Sequence, residues 1–367
     1  MDFSRHPLLL RGLTFASRVR RAAWRRRRAV KELALERTLF YRRVWHEAAD
    51  ALGASIAAVG DEIFEIRLGD WRTKVQRNYT AADDAVTLEL VGQKPLVLEL
   101  LARQGLPVPR WQEFTTASLE VAAAFIERVG GDCVVKPARD TGGGDGVTTH
   151  VRTRWQLARA AARAAVFGEA LSIEEQVAGD NYRLLYLDGV LLDAVVRRPP
   201  SVTGDGRSTV AALVERLNDV RVTWGSEAAQ SLLARDQDML QTLAAQGLAL
   251  GSVPAAGRLV RLKTVINDNS ANDNAAATHL LCSEVIEAGA AAAAAVGARL
   301  AGVDIITTDP ARPLAATGGV MLEVNTTPGF YYHYCRQGAP CPVALHVLNY
   351  LRNLPQQRSA DLVDSLR

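Results

Sequence analysis

Cysteine is scarce in this chain and unpatterned where it occurs. Cys133, Cys282, Cys335 and Cys341 are the four in 367 residues. They show neither paired spacing nor zinc-ligand spacing, so a disulfide scaffold and a zinc module are both set aside, and a reducing cytoplasm is the expected compartment. Long hydrophobic runs are missing as well. Pro7-Leu-Leu-Leu10 is interrupted by Arg11 and is too short for a secretory h-region. The longest apolar stretch, Ala288 to Val296, is mostly alanine and falls far short of the roughly 20 residues of a membrane span; it reads as a tightly packed helix. Acid is absent between Phe3 and Lys31, whereas Arg18 to Arg28 hold seven arginines. The net charge of +3 is therefore unevenly spread.

With 48% hydrophobic residues over this length, the chain can build a large core divided into two or three subdomains. The arginine-rich segment runs into Lys31 to Phe40, apolar at Leu33, Leu39 and Phe40, which predicts one long basic helix leading into the first domain. Such a helix suits an acidic partner, whether substrate, nucleic acid or anionic membrane surface. It equally suits a solvated face or an unattached arm. Ile63 to Leu68 alternates as a half-buried strand, Gly69-Asp70 makes a turn, and Trp71 to Tyr79 returns. Gly92 to Gly105 reads as a helix stopped by Gly105, followed by an extended Leu106-Pro-Val-Pro-Arg110. Ala178 to Arg197 predicts a hairpin turning at Asp188-Gly189. The segment Asn267 to Asn274 has four asparagines and two aspartates, polar enough for a mobile loop. Pro342 to Leu351 predicts a last helix, with a frayed tail from Gln356.

Two stretches carry chemistry. Val134-Val-Lys-Pro137 reads as a strand end, and a loop with Gly142, Gly143, Gly144 and Gly146 follows it. Glycines let backbone N–H groups approach phosphate oxygens, and Lys136 adds a point charge. No Gly-Lys-Ser/Thr closes the loop, so it is not a Walker P-loop, and it lacks the Gly-x-Gly-x-x-Gly of a dinucleotide fold. A flexible hairpin tip would look the same. The second stretch runs from Gly302 to Phe330. Asp304 lies on one apolar run, Glu323 and Asn325 on the next, with Asp309-Pro310 and Gly318-Gly319 between them. Alternation puts Glu323 and Asn325 on one face of a strand. Beside Asp304 they would make an all-oxygen site suited to Mg²⁺; a hairpin with solvated acids is the plainer alternative.

Taken in order, Lys94, the Val134-Val-Lys-Pro loop, Gly179-Asp-Asn-Tyr-Arg183, Arg197, Gly204-Asp-Gly206, Asp304 and Glu323-Val-Asn325 resemble the ATP-grasp superfamily. Ser252-Val-Pro-Ala-Ala-Gly257 and Asn325-Thr-Thr-Pro-Gly-Phe330 look like the ATP-grasp region of the cyanophycin synthetases. The resemblance runs from about Ile66 to Leu351 and leaves the basic first fifty residues outside. It implies an α+β ATP-grasp fold, two α+β subdomains gripping ATP, preceded by a smaller N-terminal α/β region and a basic helix. The expected division is 1–40 basic helix, 41–97 N-terminal region, 98–177 first grasp subdomain, 178–355 second, and 356–367 tail. The Mur-ligase-like domain of full cyanophycin synthetases is not expected, since the chain as given ends soon after the grasp.

By the same resemblance, ATP and Mg²⁺ are the cofactors, with Mn²⁺ as an alternative ion. Lys94, Lys136 and the glycines would hold phosphates, Glu174 would meet the adenine edge, and Asp304, Glu323 and Asn325 would hold the metal. Arg197 and Arg183 would be catalytic, Arg197 near the transferred phosphoryl group. Where the family has an acid contacting the ribose, this chain has Asn181 beside Asp180, and either could serve. The family's Ser-Thr-Gly-Gly-like loop is replaced by Asn267 to Asn274, which is expected to order on substrate binding. The implied activity is ATP-dependent joining of an amino acid or peptide carboxylate to an amine. A thiol ligase or kinase of the same fold, and a nucleotide- or nucleic-acid-binding module with catalysis lost, are the rivals. A homo-oligomer is expected, and the arginine segment is expected to lie apart from the ATP chemistry.

Overall fold

The computed structural model describes residues 7–25, 28–139, 141, 144–224, 231–266 and 268–365. Gly142, Gly143 and Asn267, named above, lie outside the described residues. Two helices open the chain, α1 (Pro7–Arg25) and α2 (Arg28–Leu52), where a single long one was expected. The boundary expected after residue 40 falls inside α2. That helix continues because Tyr41, Val44, Trp45, Ala48 and Ala49 extend its apolar stripe, and all five are buried. They pack against a three-stranded antiparallel sheet, β1 (Ser55–Gly60), β2 (Ile63–Leu68) and β3 (Trp71–Gln76), and against the last helix.

The short helix α3 (Ala85–Val91) is capped by Asp84, whose carboxylate accepts from the N–H groups of Val86 and Thr87. Helix α4 (Lys94–Arg103) follows, and the boundary expected after residue 97 cuts it. Its Val97 and Leu101 join the core under the large sheet described below.

A four-stranded antiparallel sheet comes next, in the order β4 (Trp111–Phe114), β7 (Leu171–Glu175), β5 (Cys133–Pro137), β6 (Thr148–Val151). Helices α5 (Leu119–Val129) and α6 (Arg154–Ala164) cover one face. Thr153 and Gln156 form a reciprocal capping box that starts α6. Leu10 of α1 is buried in the same core.

The second sheet has five strands, all antiparallel. They are ordered β12 (Asn274–Ala276), β9 (Val190–Arg197), β8 (Asp180–Leu187), β13 (Leu300–Thr307), β14 (Val320–Thr326). Alternation sorts its residues by face. Tyr182, Leu184, Tyr186, Val196, Val303 and Ile305 turn toward α4 and α9 (Ser283–Ala295). On the opposite face Arg183, Asp304 and Glu323 are paired across the strands through the registers Arg183↔Asp304 and Asp304↔Glu323, and Arg197, opposite Asn181, joins them.

Between β9 and β12 lies an insertion of β10 (Ser201–Thr203), α7 (Val210–Trp224), α8 (Gln237–Ala245) and β11 (Leu259–Arg261), with a small core of its own. Helix α10 (Leu314–Thr317) and helix α11 (Tyr331–Tyr334) precede α12 (Val343–Ser365). The tail expected from Gln356 is thus the continuation of a helix.

In the asparagine-rich segment, residues 268–274 make specific side-chain hydrogen bonds. Asn269 and Asn274 are buried, and Asn269 Nδ2 donates to Asn274 Oδ1 at 2.7 Å. Asn274 Nδ2 donates to the Ser270 carbonyl at 2.9 Å, and Ser270 and Asp273 bracket a single 3₁₀ turn. Low apolar content predicted a loop without a core. The amide side chains instead satisfy one another and nearby backbone groups, and the segment leads into the edge strand β12, whose first residue, Asn274, pairs with Arg197.

Candidate active site

A cleft of about 640 Å³ opens between the two large sheets. The four-stranded sheet contributes Lys136 and Glu174; the five-stranded sheet contributes Asn181, Arg197, Asp304 and Glu323. Lys94, at the first turn of α4, closes one end, its Nζ donating to the Thr141 carbonyl at 2.6 Å and to Thr141 Oγ1 at 3.1 Å. Lys136 Nζ lies 2.7 Å from Glu174 Oε1, and both side chains are buried. Of the glycine loop, Gly144 lines the cleft and has positive φ; Gly146, also at positive φ, sits behind it, where a Cβ would come within 2.8 Å of Pro137.

The opposite wall centres on Asp304. Arg183 donates to both of its oxygens, through Nε to Oδ1 and through Nη2 to Oδ2 at 2.8 Å. Arg197 Nη2 reaches the same Oδ2 at 2.7 Å. Arg197 also donates to Asn181 Oδ1 from Nε at 3.0 Å and from Nη2 at 2.6 Å, and its guanidinium lies 5.2 Å from the centre of the Tyr332 ring. Its Nη1 is buried without a hydrogen-bond partner among the described residues. Arg183 passes over Gly302 of β13 to reach Asp304: a Cβ there would meet Arg183 Cδ at 3.0 Å. Burial raises the pKa of the Asp304 carboxyl, but the charges of Arg183 and Arg197 outweigh it and hold Asp304 below the ordinary carboxylate range. Desolvation works against the Arg183 cation, yet Asp304 and then Glu323 hold its pKa above the usual guanidinium value.

Most of the residues singled out in the sequence therefore converge. Asp180 and Asn181 both reach the cleft, Asp180 exposed and Asn181 engaged by Arg197. Two do not line it. Arg183 lies beneath Asp304, and Asn325 stands beside Glu323, its Nδ2 donating to Glu323 Oε1 at 2.9 Å. Among the described residues, no group of three or more His, Cys, Asp or Glu side chains is placed to hold a metal. The candidate set is two carboxylates and one amide, adjacent across β13 and β14. All are hard oxygen donors, which fits Mg²⁺ and does not fit a soft ion.

Sequence reading missed the supports. Asp238, fully buried at the start of α8, accepts from Thr149 N and Oγ1 at 3.1 and 2.6 Å and from the N–H groups of Thr264 and Val265, both at 3.1 Å. It ties β6 to the cleft wall at residues 264–265. No local pattern marks it. Asp193 accepts from Arg336 Nη1 at 2.6 Å and faces His333 Nδ1 at 2.7 Å. Its spacing of four from Arg197 on β9 was a usable signal, since i and i+4 on a strand share a face.

Two antiparallel α+β units enclosing a cleft with this order of lysine, glycine loop, arginine and paired acids define the class: the chain belongs to the ATP-grasp superfamily. Among proteins of known name it is homologous to cyanophycin synthetase from Trichormus variabilis, 31% identical over 300 residues that cover 81% of this chain and 33% of that protein. It is also similar to the glutathione biosynthesis bifunctional protein GshAB of Mannheimia succiniciproducens, 29% identical over 309 residues, 82% of this chain and 40% of that one. The solved structure of a bifunctional glutathione synthetase from Pasteurella multocida superposes with a TM-score of 0.52 at 24% identity, covering 84% of this chain and 44% of that one. The chain thus spans between a third and two-fifths of the length of these two named relatives. No family model matches it. Among the described residues, no helix is long and apolar enough to cross a membrane.

Proposed function

We propose that this chain is an ATP-dependent ligase that joins a carboxylate, from an amino acid or peptide, to an amine. The observation that carries the reading is Arg197. It is a buried guanidinium at the cleft wall, fixed by Asp304 and Asn181, with Nη1 left without a partner among the described residues. A buried, unpaired donor beside two carboxylates is costly unless an anion arrives to meet it.

In the proposed reaction, a substrate carboxylate oxygen attacks the γ-phosphorus of ATP and ADP leaves. The amine then attacks the carbonyl carbon of the acyl phosphate, inorganic phosphate leaves, and the nitrogen gives up a proton. Lys94 and Lys136 bind the phosphates. Arg197 stabilises charge developing on the transferred group, a role of positioning and electrostatics. Arg183, one layer back, holds Asp304 in place for Arg197 and the metal. Asp304, Glu323 and Asn325 would hold Mg²⁺, which supplies neutralisation of phosphate charge when bound. Asp180 or Asn181 meets the ribose; because Arg197 already engages the Asn181 oxygen, we assign the ribose to the exposed Asp180. Residues near 98–177 and 178–355 serve as the two halves of the grip, in a cytoplasmic protein.

The test is ADP release across a panel of amino acids and short peptides, with mass spectrometry of the products. An amide product that appears only with both a carboxylate and an amine supports the reading. ADP release that needs no amine and leaves a stable phosphorylated product would replace it with a kinase.

A further inference from the structure

The arginine-rich start of the chain was expected to lie apart from the nucleotide chemistry, and the structure places part of it against the phosphate loop. Leu10 anchors α1 in the core of the four-stranded sheet, together with Phe114, Leu119 and Phe125. Three turns further along, the Arg21 guanidinium lies 4.0 Å from the centre of the Phe167 ring, just beyond α6. Its Nη2 donates to Asp145 Oδ2 at 3.1 Å. Asp145 is a residue of the glycine loop and lines the cleft beside Gly144 and Lys136. Phe167 is itself packed on that loop: a Cβ on Gly146 would meet Phe167 Cδ2 at 3.0 Å.

An acid in this position is an electrostatic problem. Triphosphate lying against Lys136 and Gly144 would face the Asp145 carboxylate, and two anions at close range repel. Arg21 answers it by charge and by geometry. The ring of Phe167 fixes the plane of the guanidinium, and the guanidinium neutralises Asp145. We propose that Arg21 is a positioning residue for nucleotide binding, which neutralises Asp145 at the phosphate end of the cleft. The proposal rests on the ATP reading given above. It adds to that reading a residue from outside the stretch that resembles the family.

The test compares ADP with Mg²⁺ against adenosine alone, by calorimetry on the full chain. Arg21→Ala is expected to weaken ADP about fivefold, the scale of one exposed ion pair with a cation–π contact, and to leave adenosine within about twofold. The loss should shrink at high salt. Asp145→Asn should bind ADP at least as tightly as the wild type, and Arg21→Ala/Asp145→Asn should match Asp145→Asn, because no carboxylate then needs neutralising. Arg21→Lys should recover most of the affinity. Arg21→Gln, which keeps the stem on Phe167 and removes the charge, replaces the alanine variant should that one unfold. Equal weakening of ADP and adenosine, no weakening of ADP, or a double variant as weak as Arg21→Ala would each overturn the proposal. A wild-type chain that binds no ADP would instead remove the ATP reading beneath it.

Discussion

On the wall of the cleft built from β5 and β7, one cation meets one anion: Lys136 and Glu174, 2.7 Å apart and both buried. On the wall built from β8, β9 and β13, two guanidiniums share one carboxylate, Asp304, and one of them keeps a nitrogen unpaired among the described residues. The first arrangement is a matched ion pair, and on the proposed reading it receives the nucleotide. The second adds Glu323 as a further acid and keeps one guanidinium nitrogen without a hydrogen-bond partner among the described residues, which suits a site where negative charge arrives or develops. On the proposed reading, the difference separates a wall that binds from a wall that acts.

The largest break in that comparison should come from Asp304→Asn. It keeps the shape but leaves Arg183 and Arg197 buried without their shared anion. Removing one member of a buried ion pair costs about 3–5 kcal/mol, so the urea midpoint should fall sharply along with turnover. A variant with wild-type stability would mean that the arginines find other partners. Glu323→Gln should be milder for the fold, since Glu323 is only partly buried. One anionic ligand is lost, so turnover should fall by about 10²-fold, and a Mg²⁺ series should recover part of it. Unchanged metal dependence would remove Glu323 from the metal set.

The smallest effect is a pH dependence. Burial holds the pKa of His333 below the ordinary histidine value, although its bond to Asp193 opposes this. Its folded pKa is therefore lower than its unfolded one. The folded state binds fewer protons, and the stability present above the unfolded value of about 6.5 is lost as pH falls through it toward the folded value. Urea midpoints between about pH 7 and pH 5 should decline for the wild type and decline less for His333→Gln. Parallel slopes would show that His333 does not titrate differently on folding.

Much of this was legible from residue order alone. The apolar runs around Asp304 and Glu323 read as two strands joined by a turn, which would bring Asp304 beside Glu323 if they were neighbours, and the register pairs them. The hairpin at Asp188-Gly189 and the helix stop at Gly105 followed from turn chemistry. What failed depended on distant partners. Composition marks 267–274 as polar with no apolar stripe and does not show that Asn269 and Asn274 bond to each other. Arg21 sits 124 residues from Asp145, and nothing near Arg21 announces the contact. Asp238 reads as an ordinary helix-start acid until four groups from two separate segments are seen to converge on it.

The comparison of the two walls is tested most directly by measuring kcat and the KM for ATP in two variants side by side. Lys136→Met/Glu174→Gln removes the neutral pair as a unit, so that no buried charge is stranded. Arg197→Lys keeps a charge but loses the planar fork that grips Asp304 and Asn181 together. The account predicts that the paired variant raises the KM for ATP with a smaller change in kcat. It predicts that Arg197→Lys lowers kcat by about 10²–10³-fold with a smaller change in KM. An Arg197→Lys enzyme with near-normal kcat, or two variants that move the same parameter, would contradict the division of the cleft into a binding wall and an acting wall.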